Sequence, residues 1–208
     1  MFFILKNILI KLKMSVTAVI LNFNRPQNLK NIVNDIRGVD EIIISNGKKE
    51  TEIDNEDFPK YPIGYIKILN HYGEMNKKYG LTLRFLSALE SSNEYVLIMD
   101  DDITPTEKTV KFLLEKVKNE PDTIHGLYGR SFNDKGEYSY TNLFGEVPVV
   151  LTRCMMTTRK KCKYFMDNFR LHETDLIKNS KPYWNGEDML FSLLSFQNTG
   201  KMNHAYDL

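Results

Sequence analysis

The first 120 residues fall into blocks of apolar and mixed positions. Thr17–Asn22 (TAVILN) is a short, almost continuous apolar run, the mark of a strand buried on both faces. Pro26 follows at a position suited to the first helical residue. Leu29, Ile32, Val33 and Ile36 then recur at i, i+3, i+4 and i+7, so a helix starts at Asn24-Arg25-Pro26 and ends at Gly38. Glu41–Ser45 (EIIIS) predicts a second strand closed by Asn46-Gly47, and Tyr65–Leu69 a third. The charged, proline-marked residues 48–62 between them read as loop. Residues 77–90 predict a helix with Leu81, Phe85 and Leu89 on one face. Tyr95–Met99 (YVLIM) predicts a fourth buried strand, and Thr106–Asn119 a helix carrying Val110, Leu113, Leu114 and Val117. Such alternation predicts an α/β fold whose mostly parallel sheet is covered by helices on both faces. Ligands of such folds bind beyond the C-terminal ends of the strands. Asn22, Asn46 and Asp100 stand at those ends, so their loops can share one crevice.

The second half is less periodic. Leu127–Tyr140 predicts strand, turn and strand, with Asn133-Asp134-Lys135-Gly136 as the turn. Val147–Met156 reads as one apolar strand. A helix from about Thr158 places Cys162, Phe165, Met166 and Phe169 inward, residues 172–186 read as loop, and a last helix runs from Glu187 to just before Gly200. No internal repeat divides the chain. Residues 14–208 are expected to form one domain, with a nucleotide-binding half over 14–120 and an acceptor half over 121–208.

Composition narrows the function. Twenty-eight basic residues against 27 acidic ones leave a net charge of +1, which gives no electrostatic basis for a nucleic-acid partner. Two cysteines eight residues apart make neither a disulfide framework nor a zinc pattern and suit reduced thiols in the cytoplasm. Residues 1–13 (MFFILKNILIKLK) are too short an apolar run to span a bilayer, and their lysines are scattered rather than leading, unlike a signal peptide. Two readings stay open: a helix lying on an anionic membrane surface, or a tail ahead of a start at Met14.

The strongest chemical signal is Asp100-Asp101-Asp102 directly after YVLIM. Three carboxylates at the tip of a buried strand repel one another unless a cation neutralises them. In an extended segment Asp100 and Asp102 would face one way and Asp101 the other. A pair of hard oxygen ligands suits Mg2+ or Mn2+, with phosphates and water completing the shell. The bland alternative is a solvated loop in which Asp102 or Thr104 caps the next helix. The second signal is Trp184-Asn185-Gly186-Glu187-Asp188-Met189, where two acids open a helix and the helix dipole stabilises their charge. Of the two, Asp188 is expected to face the crevice and Glu187 to cap or pair outward. The third is Asn22-Phe23-Asn24-Arg25, with an arginine for phosphate and an aromatic ring for a base.

As an ordered set over Val16–Lys201, the N-x-N-R turn, the strand ending in DDD and the later acid pair resemble GT-A glycosyltransferases, and among them the exostosin-like transferases of glycosyltransferase family 64. The resemblance implies transfer of a sugar from a nucleotide-diphosphate donor, with UDP favoured, to a glycan or glycoprotein acceptor. It implies that Phe23, Asn24 and Arg25 contact the nucleotide. Asn46 then lies near the base, Asn76 near the donor, Asp100 and Asp101 on the donor, and Asp102 on Mn2+. Asp188 matches the second acid of the family's pair, and the first acid is here Glu187 rather than Asp. Lys201 and His204 are candidates for the family's late basic residue, and His204 also for a metal ligand. Asp100-x-Asp102-x-Thr104 also fits the nucleophile motif of haloacid-dehalogenase-type phosphatases, although there it normally sits on the first strand. A sugar-nucleotide pyrophosphorylase would need a glycine-rich loop that LNFNRPQNL lacks, and a non-catalytic nucleotide-sugar binder would keep Asp102 without needing Asp188.

Overall fold

A computed structural model of the chain describes residues 16–48, 50, 53, 54, 57, 58, 65–172 (the last two by backbone alone) and 186–208. Four parallel strands, β1 (Val16–Asn22), β2 (Glu41–Asn46), β3 (Tyr65–Asn70) and β4 (Tyr95–Met99), lie side by side in the order β3-β2-β1-β4. All of β1 is buried, which accounts for its unbroken apolar run. Its side chains alternate between two cores. Val16, Ala18 and Ile20 pack beneath α1 (Pro26–Asp35) together with Leu29, Ile32, Val33 and Val110, whereas Val19 joins Phe85, Phe165 and Phe191 on the opposite face. There the ring of Phe85 lies 4.3 Å from that of Phe191 and 4.6 Å from that of Phe165.

The segment expected to be one helix over 77–90 is two. α2 (Glu74–Tyr79) and α3 (Leu83–Ala88) are separated by a 3-10 turn at Gly80–Thr82, and Gly80 has φ +49°, a value that suits glycine and breaks the helical path. α4 (Glu107–Asn119) follows β4 and is capped by Thr106, whose hydroxyl accepts from the Thr109 amide. The capping that the bland alternative gave to Asp102 or Thr104 thus falls to a later residue.

The second half extends the sheet in mixed sense. After β5 (His125–Gly126), β6 (Gly129–Phe132) and β7 (Tyr138–Leu143) form a hairpin whose turn is organised by Asn133, its side-chain oxygen accepting from the Lys135 and Glu137 amides. The single strand expected over Val147–Met156 is three pieces: β8 (Gly145–Val147), β9 (Val149–Val150) and β10 (Cys154–Thr158). Pro148 has no amide to give a ladder, and the chain swings away at residues 151–153 before rejoining beside β4. α5 (Arg159–Asn168) and α6 (Glu187–Thr199) cover the Phe85 face. A strand that periodicity did not signal, β11 (Asn203–Ala205), slots between β5 and β8, so the large sheet runs β3-β2-β1-β4-β10-β5-β11-β8. The small sheet is β7-β6-β9. Among the described residues no helix is long and apolar enough to cross a membrane. Residues 1–13, with their two open readings, lie outside the described residues.

The two sheets meet at Gly129. A Cβ there would come within 2.4 Å of the Leu143 carbonyl and 2.9 Å of Ala205 and Val147. Because a backbone carbonyl cannot step aside as a side chain can, Gly129→Ala is expected to destabilise the fold by about 1–3 kcal/mol, as overpacking does. Urea unfolding measures this; an unchanged midpoint would refute so close an approach.

Candidate active site

The parallel strands β1, β2 and β3 each end in asparagine, in register: Asn22 opposite Asn46, and Asn46 opposite Asn70. The Asn22 amide donates to the Asn46 oxygen at 2.8 Å, and the Asn46 amide donates to the Asn70 oxygen at 2.8 Å. This ladder fixes the tips of three strands at the point where the chain turns into the first loop. Beside it, Gly47 lets Phe23 and Asn76 approach: a Cβ would lie 3.1 Å from the Phe23 ring and 3.3 Å from the Asn76 oxygen. Lys48 donates to the Asn24 oxygen at 3.4 Å and lies 5.9 Å from the Phe23 ring centre. The structure therefore brings Phe23, Asn24, Asn46 and Asn76 together at one end of the sheet.

The next crevice wall is the aspartate loop. The chain leaves β4 at Met99 and turns at Asp101-Asp102, so the alternation expected of an extended segment does not hold. Asp100 points to one side and accepts from Arg84 at 2.8 Å. Asp101 and Asp102 share the other side, where a single nitrogen of Arg25 donates to both at 3.1 Å. Arg153 adds a looser ion pair with Asp102 at 3.6 Å. The loop backbone is held as well: Asn28 donates to the Asp101 carbonyl at 2.9 Å, and the Asp100 amide donates to the Arg153 carbonyl at 3.2 Å. The cationic neutralisation that the sequence demanded is thus supplied within the protein by three arginines. Burial nevertheless raises the pKa of Asp101, with Arg25 opposing it.

Arg84 is the residue that sequence reading missed. Its side chain is 5% exposed. It pairs with Asp100 on one side and reaches Glu187 at 3.7 Å on the other, and the Glu187 carboxylate is itself 5% exposed. Burial opposes the Arg84 charge, yet Glu187 and Asp100 outweigh it and hold its pKa above the ordinary value. Glu187 also accepts from the Thr152 hydroxyl at 3.4 Å. The expectation that Glu187 would point outward is therefore corrected: a buried guanidinium needs anionic company, and Glu187 turns inward to give it. A signal was present, because Arg84 lies on the apolar stripe of its helix, three residues after Leu81 and next to Phe85.

Asp188 projects elsewhere, into an open pocket of about 440 Å³ that it lines with Arg130, Tyr138, Tyr140 and Gly186. Gly186 has φ +91°, which lets the chain turn sharply into α6. The carboxylates of Glu187 and Asp188 both have raised pKa values, burial being the largest cause; the Met189 amide and Arg84 pull Asp188 back, and Arg84 pulls Glu187 back. Trp184 and Asn185, which strengthened the reading of this turn, lie outside the described residues.

The late basic candidates fall elsewhere. His204 lies in β11 with its ring 4.6 Å from that of Tyr206, and β10 and β5 stand between it and β4. Three strand spacings amount to about 14 Å, so the structure does not bring His204 to Asp102 as a ligand. Lys201 borders a cleft with Asn119 and Glu120 at the C-terminal end of α4, the opposite end of that helix from the aspartate loop. Among the described residues, no three His, Cys, Asp or Glu side chains cluster to hold a metal ion. What Asp102 offers is one partly exposed carboxylate with both oxygens turned to cationic groups. That donor fits a divalent cation carried largely by phosphate and water, not a cage built from protein alone.

The mixed α/β sheet, with its loops gathered beyond the parallel strand ends, is of the GT-A class of fold. Solved structures agree. GalNAc-T7 with UDP, GalNAc and Mn2+ superposes with a TM-score of 0.64 at 12% identity, over 95% of this chain and 45% of that one. CMP:2-keto-3-deoxy-manno-octonic acid synthetase complexed with CTP superposes with a TM-score of 0.52 at 12% identity, over 93% of this chain and 90% of that one. The chain thus spans under half the length of the GalNAc-T7 chain. Among curated protein sequences none matches. The model of the glycosyl transferase family 64 domain matches residues 16–203, and the chain belongs to that family of glycosyltransferases.

Removing Arg84 would strand two carboxylates, one of them deep in the protein. Arg84→Met is expected to cost about 3–5 kcal/mol, and a second change, Glu187→Met, to recover most of that loss. A double-mutant cycle in urea reads the coupling; simple additivity would show that Arg84 and Glu187 do not depend on each other.

Proposed function

We infer that the chain transfers a sugar from a UDP-sugar to a hydroxyl of a glycan or glycoprotein acceptor, with Mn2+ or Mg2+ bound at Asp102. The observation that carries this is the Arg84 bridge, which ties the Asp100 loop to the turn that bears Glu187 and Asp188. Phe23, Asn24, Asn46 and Asn76 line the end of the sheet suited to a nucleotide. Arg25 stands between that end and Asp101-Asp102, within reach of a diphosphate. Asp100, oriented by Arg84, would meet the ribose, and Asp101, on the Arg25 side of the loop, another part of the donor. Asp102 would hold the cation with the diphosphate oxygens, and the cation would supply Lewis-acid stabilisation of the charge growing on the leaving nucleoside diphosphate.

Asp188 is the acid that meets the reacting sugar. In an inverting reaction it takes the proton of the acceptor hydroxyl. In a retaining reaction, as the family resemblance implies, it stabilises the cationic sugar or positions the acceptor. Glu187 works through Arg84 and is a positioning residue. The acceptor half then includes the hairpin side chains Arg130, Tyr138 and Tyr140, which share the Asp188 pocket.

A thermal-shift screen of nucleotide sugars with and without Mn2+ tests the donor, since a ligand bound only by the folded state raises its stability. The expected result is a shift with UDP-sugars that disappears in EDTA and in Asp102→Asn. Full transfer activity in excess EDTA would sink the metal assignment.

Asp188→Asn is expected to keep metal-dependent UDP binding and to lose most turnover, a loss confined to the transition state. Its raised pKa sets the sign of the pH dependence. The ionised form needed for either role accumulates only as pH rises past a value above the ordinary aspartate figure of about 3.9, so kcat should climb through that raised range. Near-normal kcat in Asp188→Asn would remove it from the mechanism.

A further inference from the structure

The three arginines at the aspartate loop are not equivalent. Arg84 is buried and committed on both sides, to Asp100 and to Glu187. Arg25 places one nitrogen between Asp101 and Asp102 at hydrogen-bonding distance from each. Arg153 differs from both. Its ion pair with Asp102, at 3.6 Å, is too long for a good hydrogen bond, and its side chain is 44% exposed. Its backbone, by contrast, is pinned, because its carbonyl accepts from the Asp100 amide. Its guanidinium lies 4.8 Å from the centre of the Tyr128 ring, which holds a planar fork in place without using its donors. An oriented guanidinium with unspent donors, anchored to the metal-side loop and only loosely paired, is built to exchange partners.

We propose that Arg153 is a diphosphate-binding residue held in reserve by Asp102, so that a divalent cation and the donor diphosphate displace this pairing together. The proposal rests on the reading of Asp102 as the cation site. Without ligand, Arg153 and Arg25 occupy the two oxygens of Asp102 and compete with the cation for them. A cation arriving alone must break these pairs and leave two guanidinium charges facing a dication, which is repulsive at short range. A diphosphate reverses the balance, because it accepts from the released guanidiniums and ligates the cation at once. Metal and nucleotide therefore bind with positive coupling, and by linkage each raises the affinity for the other by the same factor. Arg153 also supplies the basic contact to the diphosphate that neither Lys201 nor His204 is placed to make.

Opposite effects on two ligands test this. Calorimetry of the full chain would measure Mn2+ alone, UDP alone, and UDP in saturating Mn2+, for the wild type, Arg153→Gln and Arg153→Lys. Arg153→Gln is expected to bind Mn2+ alone more tightly, having lost a competing charge. The same variant should bind UDP in Mn2+ roughly 10- to 100-fold more weakly, the range of a lost charge-assisted hydrogen bond. Arg153→Lys keeps the charge but not the stacked fork, so its Mn2+ affinity should stay near wild type while UDP binding in Mn2+ weakens. Thermal unfolding of each variant shows whether the fold is intact. If wild type couples Mn2+ and UDP but Arg153→Gln leaves both affinities unchanged, or weakens UDP without tightening Mn2+, the reserve role is overturned alone. If wild type binds UDP with no dependence on Mn2+, the cation site at Asp102 and this proposal fall together.

Discussion

A guanidinium buried between two carboxylates organises the site. Arg84 comes from the short helix before β4, Asp100 from the tip of β4 and Glu187 from the first turn of α6. No one of these charges is comfortable away from water by itself, and each is tolerable only because the others are there. Arg84 and Asp100 come from consecutive elements, but Glu187 lies about a hundred residues further on, so completing the contact depends on the last helix docking onto the sheet. In return the contact sets how the last helix sits over the strand ends, and it keeps Glu187 turned inward so that its neighbour Asp188 faces the open pocket. The site is in this sense a product of the core: Phe85, next to Arg84, packs on Phe191 within α6, and the same two elements carry both the apolar and the ionic contact.

A gradient of commitment runs outward from Arg84. The buried pairing is saturated, the Arg25 pairing with Asp101 and Asp102 is half exposed, and the Arg153 pairing is long and loose. Charge near the protein interior serves structure, where desolvation makes an unpaired group costly. Charge at the rim can change partners at small cost, because water replaces whatever leaves. One acidic tripeptide thus holds an aspartate tied to a buried arginine and two that pair at the rim, a division no reading of D-D-D as three equal ligands contains.

The parallel half of the fold was legible in the sequence because burial on both sheet faces leaves unbroken apolar runs, as in TAVILN, EIIIS and YVLIM. The helix at Glu107–Asn119 came through for a different reason, its single inward stripe of Val110, Leu113, Leu114 and Val117 being complete. The antiparallel half was less legible. β9 has two residues and β11 three, too few for alternation to show, and each is set by its neighbours rather than by its own pattern. Of the site, the clustered residues at strand ends were visible, because topology alone places them. Arg84 was not, since an arginine in a helix ordinarily points to water, and only its place on the apolar stripe marked it. Arg153 sits in a turn whose course depends on tertiary contacts, and Arg130, Tyr138 and Tyr140 lie on a hairpin whose strands were legible but whose facing toward Asp188 was not. The separation of His204 from Asp102 was not legible either, because closeness along the chain to the end of a domain says nothing about which strand a residue will join.

The row of Asn22, Asn46 and Asn70 carries a direction. Each amide presents its nitrogen to the next oxygen, so one side chain cannot rotate by half a turn alone without setting oxygen against oxygen or nitrogen against nitrogen. The row therefore has two collective states, and all three amides must invert to pass between them. The Asn46 nitrogen also faces the Ile53 carbonyl at 3.5 Å, and a carbonyl can only accept. That neighbour favours one orientation of Asn46, and the preference passes outward from there, to the exposed amide of Asn70 and to the buried one of Asn22. The polarity presented at the tip of β1 is thus set from Ile53, beyond the end of β2.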